Sequence, residues 1–160
     1  MLWLFFVFTL LTSFGFDSNQ VIAEFDGKPI KYSDIKNYAN KLSDEYKKLL
    51  NSKEGVKKLL DYYIKRLAIL EEAKKAVSNR GVFNAHKGID KEAAYIIAYL
   101  TQEVDQKIEI SEKEVEEYAK KKGVSKEVAY REILSAKRRE RFNELIKELL
   151  KKHKVKILIK

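Results

Sequence analysis

The two stretches of strand character in this chain stand at its opposite ends. In "VIAEFDGKPIKYSDI", Val21 to Ile35, an apolar segment runs into Asp26-Gly27, a pair suited to a type I′ turn because both central positions need positive φ. At the other end, in "VKILIK", Val155, Ile157 and Ile159 alternate with Lys156 and Lys160, and Leu158 is the exception. A lone terminal strand with one buried face cannot satisfy its backbone groups, so it must find an edge. The hairpin offers that edge, so the two ends should meet in a small antiparallel sheet with helices folded between them. Pro29 cannot donate to a ladder, which makes the return strand short and puts it at an edge.

Between the ends, apolar residues recur at helical spacing. Ser33 is the expected N-cap of a helix to about Asn51, with Asp34 in its first turn and Ile35, Tyr38, Ala39, Leu42, Tyr46, Leu49 and Leu50 on one face. A second helix is expected from Ser52 to about Ser78, stopped by Asn79-Arg80-Gly81. A loop with Phe83, His86 and Gly88 leads to Asp90, the N-cap of a helix to about Lys107, in which "AAYIIAYL" is apolar nearly all round. Ser111 and Glu114 have capping-box spacing ahead of a short helix that leaves through Gly123, and Ser125 caps a last helix to about Lys152. Gly 6 and Pro 1 are few for 160 residues, which favours long elements. The fold class expected is mainly α: about five helices with one small antiparallel sheet made by the N-terminal hairpin and the C-terminal strand.

The first fourteen residues, "MLWLFFVFTLLTSF", carry no ionisable side chain and fall short of the roughly 20 needed to span a bilayer. Residues 1–15 read as a signal peptide, or as an uncleaved anchor, since no Lys or Arg precedes the apolar run. Residues 16–160 read as one helical domain, in a periplasmic or otherwise exported location. Cys 0 excludes disulfides, thiolate metal sites and cysteine nucleophiles together. The net charge of +9 comes with 36% charged residues of both signs, the composition of a solvated helical surface.

This succession of elements resembles the chaperone region of the SurA and PrsA group of exported folding factors, and is also similar to the C-terminal arms of trigger factor. The matching segments are "VIAEFDGKPIKYSDI", "LLDYYIKRLAILEEAKK", "ISEKEVEEYAKKKG" and "AKRRERFNELIKELLKKHKVKILI". The resemblance implies pairing of the first and last strands and the holding of unfolded clients, in that group a step in outer-membrane protein biogenesis. Members often carry a parvulin prolyl isomerase domain between the last two helices. Here little more than Lys120 to Val124 separates them, so isomerase activity is not implied.

No chemistry-bearing motif competes with that reading. His86 and His153 stand without a ligand cluster, and His153, near a helix C-terminus, should interact with exposed carbonyls. Glu71-Glu72 and Glu116-Glu117 are adjacent on helices and do not face each other. No phosphate loop, G-x-S-x-G or H-E-x-x-H occurs, so no catalytic, cofactor or metal residue is expected. Between Lys137 and Lys160 ten Lys or Arg residues face Glu140, Glu144 and Glu148. For an exported protein that excess points away from nucleic acid and towards lipid or acidic clients, with much of it held in surface ion pairs.

The expected function is that of an ATP-independent holdase for unfolded polypeptides. Its peptide-binding surface is expected at Tyr62, Phe83, Tyr95, Ile96 and Tyr99, since the third helix has more large apolar residues than one core-facing side accepts. The alternative is a membrane-tethered or dimeric adaptor for one fixed partner, with exchange of terminal elements between copies. Membrane contact would come through an uncleaved leader or the basic C-terminal helix.

Overall fold

The computed structural model describes residues 15–77 and 88–159. The apolar opening 1–14, the Asn79-Arg80-Gly81 stop, Phe83 and His86 lie outside them.

β1 (Val21–Phe25) and β2 (Lys28–Lys31) form the expected hairpin, and β3 (Val155–Ile157) pairs antiparallel with β1, giving the order β2-β1-β3. Asp26 and Gly27 take φ of 49° and 77°, the type I′ requirement, which a short polar side chain and a glycine meet at little cost. Pro29 sits in the edge strand β2, where its missing donor is harmless. A register shift between Val21 and Ala23 turns two consecutive residues inward, and Ile22 and Ala23 are both fully buried.

The N-cap of α1 (Tyr32–Asn40) stands two residues before the expected position. Lys31, not Ser33, is its N-cap, and the Asp34 carboxylate accepts the Lys31 N–H at 2.8 Å. The helix expected to continue to Asn51 is broken into α1, a one-turn α2 (Asp44–Lys47) and a 3-10 turn (Lys48–Asn51). The cause is close approach: the turn doubles back on the next helix, and a Cβ at Gly55 would lie 2.0 Å from the Leu49 carbonyl oxygen. Leu42, Leu49 and Leu50 reach the core through this bend.

α3 (Lys53–Ala76) is the central helix, capped by Ser52 Oγ, which accepts the Gly55 N–H at 3.0 Å. Asp90 caps α4 (Lys91–Glu103) by accepting the Ala93 N–H at 3.1 Å; the helical path then tightens into a 3-10 turn (Asp105–Lys107). Ser111 caps α5 (Glu112–Lys122) at 3.2 Å, but the capping box is not completed, because the Glu114 carboxylate accepts from Lys137 Nζ at 2.7 Å. Gly123 leaves that helix with φ 68°, and Ser125 caps α6 (Lys126–Lys152).

Two apolar clusters result. The larger gathers Ile22, Phe25, Ile35, Val56, Leu59, Leu60, Leu145 and Leu149 between the sheet, α1, α3, α4 and the C-terminal half of α6. The smaller holds Val115 and Ala119 of α5 against Ala129 and Ile133 of α6. α6 serves both, so α5 and the start of α6 form a helical arm on the main body. His153, beyond α6, faces the hairpin turn rather than helix carbonyls: its ring lies 4.7 Å from Phe25 and its Nδ1 meets Asp26, because pairing β3 with β1 brings the turn to the helix end.

Candidate functional site

β3 is bonded to β1 on one side, and an apolar groove runs beneath it. α3 supplies one wall with Lys57, Leu60, Asp61 and Ile64, a single stripe at three- and four-residue spacing. Leu150 of α6 closes one end, and Val155, Ile157 and Ile159 form the other wall, since alternate residues of a strand share a face. The groove encloses about 390 Å³, and no residue of β1 or β2 lines it. Ile157 is 51% exposed and Val155 37%, although both point to the same face as the buried Ala23 and Phe25 opposite them. The sheet simply extends past the helix that covers it.

The two charges in the groove wall have partners: Lys57 Nζ with Glu54 at 3.0 Å and Asp61 with Lys65 at 2.5 Å. The flanking lysines are different. Lys151, Lys154 and Lys156 are exposed and make no ion pair among the described residues, so the rim is positive. Elsewhere part of the basic excess is engaged, while Arg139 and Lys147, for example, also make no ion pair among the described residues. Arg141 reaches Glu144 and Glu148 at 3.4 Å each, Arg138 reaches Asp105 at 2.8 Å, and Lys152 reaches Glu72 at 3.5 Å.

A second, shallower concavity of about 570 Å³ lies at the elbow between arm and body, with Leu100, Val104 and Phe142 as its floor. Arg138 and Arg139 form its rim, and the Arg138–Asp105 pair crosses it.

The four described residues of the five picked from the sequence are not brought together in the groove. Tyr62 is 40% exposed on α3 and meets Tyr46 edge-on at 5.9 Å, outside the groove. Tyr95 and Tyr99 are core residues, 5% and 6% exposed, and Ile96 is half-buried against the same core. Burial also pushes the Tyr99 hydroxyl up from its ordinary pKa, helped by the Glu103, Glu72 and Glu148 carboxylates. The correction has a geometric reason: α4 docks on α3 through the Ala94-Tyr95-Tyr99 face, which turns Ile97 outward at 42% exposure. Phe83 lies outside the described residues. The groove residues Leu150, Val155 and Ile157 were missed; the available signal was a C-terminal strand with three apolar residues on one face and a single sheet neighbour.

Among the described residues no group of three His, Cys, Asp or Glu is placed to hold a metal ion, and no helix is long and apolar enough to cross a membrane. No family model matches the chain, and no curated protein is similar to it.

Proposed function

We propose that this chain is an exported, ATP-independent chaperone that holds unfolded polypeptides, a chaperone module of the SurA and PrsA kind without an isomerase domain. The observation that carries the reading is the groove under β3, which no described residue covers and in which Val155 and Ile157 stay in contact with water. Contiguous apolar surface on a soluble body marks a binding site. Contacts of that kind suit clients of varied sequence, because burial contributes about 25 cal/mol per Å² whatever the order of the side chains. The positive rim supports the same reading, since copies of a +9 chain repel one another while remaining open to other chains. The mainly helical body, closed by a sheet joining both ends, is the layout that the resemblance implies.

The test is aggregation of a reduced, unfolded model protein, with the folded form as control. Suppression by equimolar or substoichiometric chain, with no binding to the control, is the expected result. No suppression, with tight self-association, would replace the holdase by an adaptor or dimer.

A further inference from the structure

We infer that β3 takes up an extended segment of an unfolded polypeptide as a fourth strand of the sheet, and selects segments in which apolar and acidic residues alternate. This rests on the chaperone reading and specifies how a client is held.

The backbone decides the geometry. Leu158 donates its N–H to Ile22 O at 2.9 Å and the Lys154 carbonyl accepts the Asp26 N–H at 2.8 Å, so the even-numbered residues of this segment face β1. By the alternation of an antiparallel ladder, the N–H and C=O groups of Val155 and Ile157 face away from it, along an edge that has no strand neighbour among the described residues. A helix cannot satisfy such a row of groups; an extended chain can.

Side chains make the same demand. A residue paired with Val155 or Ile157 puts its side chain on their face of the sheet, over the groove walled by Leu60, Ile64 and Leu150. The residues between would lie on the opposite face, beside Lys154 and Lys156, whose ammonium groups make no ion pair among the described residues, although Glu24 stands opposite Lys156 on β1. Apolar positions are therefore required on one side and carboxylates on the other.

Charge also chooses between occupants. A second copy would bring the same lysines edge to edge, and lysine on an edge strand is a common barrier to self-pairing. An acidic, apolar-alternating strand meets no such barrier.

The test uses the full chain and a fluorescent peptide alternating valine and glutamate. Binding is expected, weakened by about tenfold or more when the amides facing β3 are N-methylated, because each lost hydrogen bond is worth on the order of a kilocalorie. A similar loss is expected with lysine in place of glutamate, and for the exposed-site variant Ile157→Lys, whose fold is checked by its melting curve. Equal binding of the N-methylated peptide would overturn strand addition. Suppression of aggregation that persists unchanged in Ile157→Lys, without peptide binding, would overturn it too and leave the chaperone reading standing on another surface. Peptide binding that requires the free edge, in a chain that suppresses no aggregation, would uphold strand addition and remove the chaperone reading. Dimerisation abolished by Ile157→Lys, with no peptide bound, would assign the edge to a second copy instead.

Discussion

His153 Nδ1 lies 2.6 Å from Asp26 Oδ2, which ties the end of the last helix to the turn of the first hairpin across nearly the whole sequence. The other oxygen of Asp26 accepts the Lys154 N–H at 2.7 Å, so one carboxylate fixes the residues leading into β3. The His153 hydrogen bond, followed by the Lys154 backbone N–H, holds the Asp26 carboxyl below the usual carboxylate range. A depressed folded-state pKa contributes stability that is present above the unfolded value, about 3.9, and is lost as pH falls through the folded value. Asn keeps the positive-φ turn while removing the charge. At neutral pH Asp26→Asn should therefore have a lower urea midpoint than the parent, with the gap closing below about pH 4. A gap that persists undiminished at low pH would show that the clamp is not ionic.

Gly55 and Gly27 should respond very differently to alanine. At Gly55 a new Cβ would collide with the Leu49 carbonyl, backbone against backbone, and neither helix start nor 3-10 turn can yield without opening the core at Val56 and Leu59. At Gly27 the cost is conformational alone, since nothing lies within 4 Å of the added carbon and only the φ of 77° opposes it. Gly55→Ala should cost upwards of about 3 kcal/mol and Gly27→Ala about 1–2 kcal/mol, measured by denaturant unfolding. Equal costs would mean that the approach of Leu49 relaxes freely.

The orientation of α4 can be tested by contrast between neighbours. Tyr99 is packed in the core and Ile97 is half in water, two residues away. Tyr99→Ala should destabilise by about 3–5 kcal/mol, as for other buried aromatics, while Ile97→Lys should move the melting curve little. If instead Ile97→Lys unfolds the chain, α4 is rotated from the orientation described.

Much of this architecture was legible in the order of residues, and the reasons differ by region. The meeting of the two ends followed from a positive-φ pair at Asp26-Gly27 and from a terminal strand that needed a partner; both are local facts with one global solution. The caps at Asp90, Ser111 and Ser125 were legible because each side-chain oxygen has a backbone N–H three residues ahead to accept from, whereas the cap expected at Ser33 falls at Lys31. The break after α1 was not, because Tyr46, Leu49 and Leu50 keep helical spacing through it and the contact that forces it, Leu49 on Gly55, is tertiary. The same limit applied to α4: a helix apolar on most sides fits its neighbours in several rotations, and Tyr95 and Tyr99 turned inward. The groove depends on how far β3 overhangs α3, a distance that no spacing in the sequence encodes.

The arm formed by α5 and the start of α6 should open independently of the body. Its buried core is Val115, Ala119, Ala129 and Ile133, with Ile110, Tyr118 and Val124 partly buried against it, so the apolar area it buries is small beside that of the main cluster. Polar ties join its helices along their length: near the tip, exposed Lys126 Nζ donates to Glu116 at 2.5 Å and Tyr118 Oη to Glu132 at 2.8 Å, and others hold the base. Lys137 Nζ donates to Glu114 and to the Glu109 carbonyl at 2.7 Å each, and Arg141 Nε to the Glu103 carbonyl at 3.1 Å. Few buried contacts and exposed helix surface are the features of a segment at the low end of a protein's range of local stabilities. Hydrogen exchange should therefore find the amides of α5 and of residues 126–136 less protected than those of α3. Ile133→Ala, removing about 2–4 kcal/mol of local packing, should erase protection in the arm while leaving α3 unchanged. Leu149→Ala, in the main core, should lower protection in both. Loss of α3 protection in Ile133→Ala to the same degree as in the arm would show that α6 transmits stability along its whole length, and the arm would then be part of one cooperative unit.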